Sequence, residues 1–191
     1  MKKAGLGFRV KSGLAASILI DGSVQSPHLC SSDVINLSDP RNPETRQPYH
    51  AAMGKLETNA TKLYRRTQSV RRATERSISD LLKRCADNGY AIQRAGLVVG
   101  SMIDPNSISN PHIRAHALEG RLFRTTLKTT LEARGIRCVM FTERDAFSTA
   151  TKNLGKSPAR IKRAVTDFGE STNGPWRADQ KLAALAAWMS L

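Results

Sequence analysis

The sequence predicts an α/β fold: a mixed sheet of three antiparallel strands followed by two parallel strands, with helices on both faces. Two alternating apolar runs joined at Ser12-Gly13 open the chain as a hairpin. Two later apolar runs, Ala91 to Gly100 and Ile136 to Phe141, are each followed by a helical stretch, the alternation that accompanies parallel pairing. With 191 residues and 40% hydrophobic content there is enough material for one well-buried core and too little for two. Residues 1–191 therefore read as a single domain.

Taken in order, Leu6, Phe8 and Val10 alternate, Ala15 to Ile20 resumes the apolar run, and Asp21-Gly22 closes it. A third strand is expected over about Leu29 to Leu37. Residues 38–50 carry three prolines, which neither helix nor central strand accommodates, and form a loop. From Ala51 to Asp87 apolar residues recur at Met53, Leu56, Ala60, Leu63, Val70, Ile78, Leu81, Leu82 and Cys85, predicting a helix of about ten turns that stops at Gly89. Its other side carries Lys62, Arg65, Arg66, Arg71, Arg72, Arg76, Lys83 and Arg84. That run is either a solvated helix face or a ridge that contacts phosphates. Asn110-Pro111 supplies an N-cap and first-turn proline for a helix to about Arg134, ended by Gly135. Further helices are expected up to Leu154, over Lys156 to Phe168, and in WRADQKLAALAAWM at the end, where Ala178, Leu182, Leu185 and Met189 share a face.

Thirty Lys and Arg against sixteen Asp and Glu leave a formal charge of +14, well beyond the needs of solubility. A polyanionic partner, nucleic acid first among them, is the leading inference, with a merely solvated basic surface as the alternative. Cys30, Cys85 and Cys138 form no CxxC pair and are odd in number, which argues against a zinc knuckle or a disulfide framework. MKKAGLGF meets Arg9 and Lys11 before any long apolar run, so no signal peptide is expected, and no apolar stretch approaches a membrane span. The expectation is a soluble, cytoplasmic protein with no membrane partner. No GxxxxGK[ST] is present, which excludes a P-loop. Aromatics at 5% disfavour a base-stacking platform and suit recognition of duplex or structured nucleic acid through its phosphates.

Four stretches, LGFRVKSGLAAS, LVVGSMIDPNS, VMFTERDAFSTA and RADQKLAALAAW, occur in the order of the working edge of RNase H-like nucleases. Together they resemble the bacterial pre-ribosomal-RNA nuclease family, also described as Holliday-junction-resolvase-like proteins. That family's opening Leu-Asp-Phe-Gly-x-Lys is matched by Leu6, Gly7, Phe8, Arg9, Val10 and Lys11, then Gly13, Leu14 and Ala15. The end of its central strand is matched by Val99, Gly100 and Pro105. Its Asp-Glu-Arg corresponds to Thr142, Glu143 and Arg144, with Ser148, Thr149 and Ala150 following. The Asp before the last helix corresponds to Asp179, ahead of Leu182, Ala183 and Ala184. The resemblance covers about 5–20 and 95–190. The basic helix at about 51–87 is larger than the family normally carries.

What the resemblance implies is phosphodiester cleavage by a divalent metal, Mg²⁺ or Mn²⁺, held by clustered carboxylates. The first-strand Asp has become Gly7, with Arg9 and Lys11 beside it. Glu143 and Asp179 remain as the implied catalytic acids, with Asp104 as a possible substitute; no metal ligand set is defined. The resulting reading is a nucleic-acid-binding protein of RNase H-like fold that is catalytically degenerate and contacts phosphates of structured DNA or RNA. The contacts would be Arg9, Lys11, Ser12, Arg46, Lys62, Arg65, Arg66, Arg72, Arg76 and Arg144. An active metal-dependent nuclease, and an interaction subunit that pairs the long helix with another protein or with a second copy as a homodimer, are the alternatives.

Two smaller features stand apart. His112, His116 and Glu119 lie four and three residues apart and share a helix face, a pattern that suits either a metal face or a solvated hydrogen-bonding set. His50, in RQPYH, suits a phosphate or base contact, or plain loop packing. Ser12-Gly13 offers backbone donors in a tight turn, in principle an anion-binding nest.

Overall fold

The computed structural model describes residues 1–51 and 54–191. Its sheet contains β1 (Lys2–Lys11), β2 (Leu14–Gly22), β3 (Pro27–Asn36), β4 (Tyr90–Val99) and β5 (Arg137–Thr142), in the spatial order β3-β2-β1-β4-β5. β1, β2 and β3 pair antiparallel, whereas β4 runs parallel to both β1 and β5. Three antiparallel strands followed by two parallel ones is the expected topology. Among the described residues five α-helices cover the sheet: α1 (Ala60–Asp87), α2 (Pro111–Glu132), α3 (Ala146–Leu154), α4 (Pro158–Asp167) and α5 (Ala178–Trp188).

The period of two in β1 divides the core. Leu6, Phe8 and Val10 join Leu97 and Val99 of β4 beneath α1 and α2, packed with Val70, Ile78, Leu81, Phe123, Leu127 and Leu131. The opposite face carries Ile18, Ile20, Val98 and Phe141 beneath α3, α4 and α5. Each fully buried Leu, Ile or Phe contributes about 1.5–3 kcal/mol by leaving water.

On this second face β1 and β4 present glycines to α5. A Cβ at Gly5 would collide with the Ala187 carbonyl, and one at Gly7 would collide with backbone atoms of Ala183 and Ala187. At Gly96 it would lie 2.7 Å from the Ala186 carbonyl oxygen. Fully buried Ala183, Ala184, Ala186 and Ala187 complete a helix-to-sheet contact made at backbone distance.

The long helix is shorter than its apolar spacing predicts, starting at Ala60 rather than Ala51. Asn59 is its N-cap, its side chain accepting the Lys62 N–H at 3.0 Å. Before that cap the chain folds back: Ala51 N–H donates to the Lys55 carbonyl, Glu57 N–H donates to the Tyr49 carbonyl, and His50 bridges to Leu56. Gly54, at φ +71°, fits this reversal and not a helix. Leu56 is thus a loop residue, and Met53 lies outside the described residues. The predicted N-cap of α2 is present, Asn110 accepting from the amides of His112 and Ile113. Cys30, Cys85 and Cys138 are free thiols. Among the described residues no helix is long and apolar enough to cross a membrane.

Gly7→Asp, which restores the acid of the resemblance, should destabilise the fold by about 3 kcal/mol or more, because a helix backbone has nowhere to move. Urea denaturation of this variant beside Phe8→Leu, a milder change on the other face, provides the measurement.

Candidate nucleic-acid interface

The ends of β1, β4 and β5 and the start of α5 meet at one rim. The Glu143 N–H donates to the Val99 carbonyl at 2.8 Å, bringing the end of β5 beside the end of β4. Arg9 pairs in register with Val98. Its guanidinium donates to Glu143 Oε2 at 2.5 Å and to the Val10 carbonyl at 2.8 Å, while its Nε stands 3.9 Å from Asp179 Oδ1. Lys11 donates to Asp179 Oδ2 at 3.0 Å. Arg9, Lys11, Glu143 and Asp179 therefore converge.

Gly7 lies beneath α5 with no room for a side chain, while Arg9, two residues further along the same face, occupies the rim between Glu143 and Asp179. A buried guanidinium bonded to one carboxylate and beside the other fills the place a hard dication would need, so these residues as arranged do not fit a shared Mg²⁺ or Mn²⁺. Asp104 stands apart: it caps the short turn Pro105–Ser107, accepting from Asn106 N–H, and pairs with Arg121 at 3.7 Å. At the position matched to the Asp of the Asp-Glu-Arg stretch, Thr142 donates its hydroxyl to Asp145 and so shapes the entry into α3.

Beside this rim a cleft of about 440 Å³ is lined by Arg9, Lys11, Ser12, Ser101, His116 and Arg124, among others. Arg124 is buried, and among the described residues no carboxylate lies within ion-pair distance of it. Burial, with the like charge of Arg121, pushes its pKa down, although an arginine remains charged. In the sequence Arg124 stands between Phe123 and Leu127 of an apolar helix face, a pattern too weak by itself to single it out. A second cleft adjoins the first and brings exposed Arg46 to Lys11, Ser12 and Asp179. Ser12 lines both clefts, next to Gly13 at φ +80°.

The basic ridge of α1 divides. Lys62, Arg65, Arg71, Arg72, Arg76, Lys83 and Arg84 are exposed, as is Arg144 next to Asp145. Arg66 is turned inward, a correction to its expected place among the phosphate contacts. Its guanidinium donates to the carbonyls of Pro48 and His50 at 3.2 Å and pairs with Glu44 at 2.8 Å and Glu57 at 3.3 Å. That guanidinium, by hydrogen bond and charge, holds Glu44 below its ordinary pKa. Arg66 is thus the pin that fastens the proline-rich loop to α1.

His112 and His116 do share a face of α2, and the loop brings His50 against them. Glu119 is wholly buried behind the rings; burial pushes its pKa up, opposed chiefly by the hydrogen bond from His50.

The order of strands, the two helix layers and the rim formed by the ends of β1, β4, β5 and the start of α5 define the RNase H-like fold. Among solved structures the chain is similar to RuvC of Thermus thermophilus, with 9% identity and a TM-score of 0.53 over 99% of this chain and 92% of RuvC. It is likewise similar to the T. thermophilus RuvC solved in complex with a Holliday junction substrate, at 10% identity and a TM-score of 0.54, covering 99% of this chain and 91% of that one. No protein-family model matches the sequence, and no curated protein matches it. At these identities the likeness is one of fold, and on that level the RNase H-like expectation drawn from the four stretches holds.

Arg66→Met should cost about 2–3 kcal/mol, because it orphans two carbonyls and the poorly exposed Glu57. Arg72→Met, on the exposed side of the same helix, should stay within about 0.5 kcal/mol. Chemical denaturation of both variants reads the difference.

Proposed function

We propose that this protein binds structured nucleic acid, duplex or branched, by its phosphates, and that the carboxylates at the rim serve to hold cations in place and not to cleave. The carrying observation is Arg9: a buried cation bonded to Glu143 and beside Asp179 where the fold brings strand ends and a helix start together. Glu143 and Asp179 are matched by Arg9 and Lys11, so the rim is neutral in itself. Arg124 in the cleft and Arg46 at its edge are in surplus, and an entering phosphate would balance them. Lys11, half-exposed, can turn from Asp179 to a phosphate at little cost. Ser12, Arg144, Lys62, Arg65, Arg72 and Arg76 extend the contact outward. The structure of RuvC with a Holliday junction substrate makes a four-way junction the first probe to use.

Glu143 and Asp179 standing at the same rim favour one other reading, a divalent-metal-dependent nuclease. It requires Arg9 to leave the space between them.

Affinity for a four-way junction should fall steeply with salt, by about a thousandfold between 50 and 200 mM for six phosphate contacts. Lys11→Ala, Arg46→Ala and Arg124→Ala should each make the log–log salt dependence shallower by about one. A flat salt dependence, or no binding at low salt to duplex DNA, RNA or junctions, refutes the proposal. Incubation with Mn²⁺ should leave these substrates intact; cleavage that vanishes in Asp179→Asn would establish the nuclease reading instead.

A further inference from the structure

We propose that His50, His112 and His116 form a binding site for a transition-metal dication of the Zn²⁺ class, supported from behind by Glu119. The three rings come from separate parts of the chain, one from the loop and two from successive turns of α2. Their centroids stand 4.4 Å apart for His50 and His116, 4.6 Å for His112 and His116, and 5.2 Å for His50 and His112. One ligand nitrogen from each falls in a group no wider than 4.8 Å, and among the described residues no other three His, Cys, Asp or Glu side chains converge in this way.

The orientation of the rings is what distinguishes a metal site from a chance cluster. Nδ1 of His50 lies 2.7 Å from Glu119 Oε1, Nδ1 of His112 lies 3.1 Å from the Gly54 carbonyl, and Nδ1 of His116 lies 3.6 Å from Glu119 Oε2. A carboxylate and a carbonyl only accept, so Nδ1 of His50 and Nδ1 of His112 are the natural seats of their ring protons and their Nε2 atoms keep lone pairs, whereas His116 stands near Glu119 Oε2 without a hydrogen bond to it. Metal-binding histidines are oriented by the same kind of tether on the ring nitrogen that does not bind the ion.

The Nε2 atoms of His112 and His116 are 3.3 Å apart. With the proton on His116 Nε2 this contact is a hydrogen bond to His112, and a bound cation would take that proton's place. Nitrogens around a tetrahedral Zn²⁺, with bonds of about 2.0–2.1 Å, stand roughly 3.3 Å from one another. Nε2 of His50 is buried and has no hydrogen-bond partner among the described residues, and its side chain is only 10% exposed. A buried imidazole nitrogen left without a partner points to a ligand.

Three imidazoles, with no thiolate beside them among the described residues and Glu119 engaged behind the rings, select Zn²⁺, Co²⁺, Ni²⁺ or Cu²⁺ over Mg²⁺ or Mn²⁺. Three protein ligands leave a fourth position for water. His116 also lines the cleft beside Arg9 and Arg124, which places the site at the edge of the cationic surface. The ion would join the loop to α2 across the same ground that Arg66 pins to α1.

The test is titration of the full-length, chelator-stripped protein with Zn²⁺ and, separately, with Co²⁺. The expected result is one ion per chain, a raised Tm in Zn²⁺, and visible Co²⁺ bands of a tetrahedral site without thiolate charge transfer. His112 and His116 are exposed, so His112→Asn and His116→Asn should fold normally and weaken Zn²⁺ binding by at least roughly a hundredfold. Glu119→Gln should weaken it about tenfold to a hundredfold and keep the stoichiometry. The absence of saturable Zn²⁺ uptake, or undiminished affinity in the His112→Asn/His116→Asn double variant, overturns the assignment. These readouts do not depend on nucleic-acid binding.

Discussion

A helix can rest on a sheet at backbone distance only where both surfaces lack side chains, and the rest of this molecule is arranged around such a contact. Gly5, Gly7 and Gly96 form the floor and the alanines of α5 lie on it. Because β1 and β4 are the central parallel pair, this contact aligns the start of α5 with the ends of those strands, and Asp179 reaches Lys11. The same closeness forbids an acid at Gly7. Position 9 is the first on that face of β1 to clear the helix and present a side chain at the rim.

Two arginines show how a strongly basic chain divides its charge. Arg9 and Arg66 are both buried, each bonded to carboxylate and to backbone carbonyl, and each ties one segment to another. Such cations are part of the frame: removing a partner leaves a charge or a carbonyl without compensation in a poorly solvated place. The cations on the outer face of α1, by contrast, cost nothing to solvate, and their value lies in the field they add. The apolar stripe of α1, Val70, Ile78, Leu81 and Cys85, is spent on the sheet. What remains outward is mostly charged, with Lys and Arg outnumbering Glu75, Asp80 and Asp87, and it also exposes Tyr64.

The described segments 38–51 and 54–59 link these parts. Their prolines admit only the short 3-10 turn Pro43–Thr45, and Arg66 holds the loop by the carbonyls of Pro48 and His50. One consequence is the delivery of Arg46 to the cleft; the other is the delivery of His50 to α2. Both depend on a buried ion pair within the loop's own reach rather than on the sheet.

Much of the fold was legible from period and punctuation alone. Alternation at Leu6, Phe8 and Val10, the Asn110-Pro111 cap, and glycines after helices are local signals, because backbone hydrogen bonding and helix ends are decided within a few residues. The long helix was misjudged at its start for the same reason: apolar spacing at Leu56 mimics a helix turn, whereas pairing of that segment with His50 depends on residues that meet only after folding. Of the rim, Lys11, Glu143 and Asp179 could be picked out by motif, yet that Gly7 has no room for a side chain and that Arg9 stands between the two carboxylates required knowing how closely α5 lies. The inward turn of Arg66, the buried Arg124 and the meeting of His50 with His112 and His116 likewise had no local signature strong enough to read. Charge type is written in the chain one residue at a time; whether that charge faces water, a carboxylate or another imidazole is decided by segments tens of residues away, since only tertiary packing sets the dielectric and the neighbours each group will have.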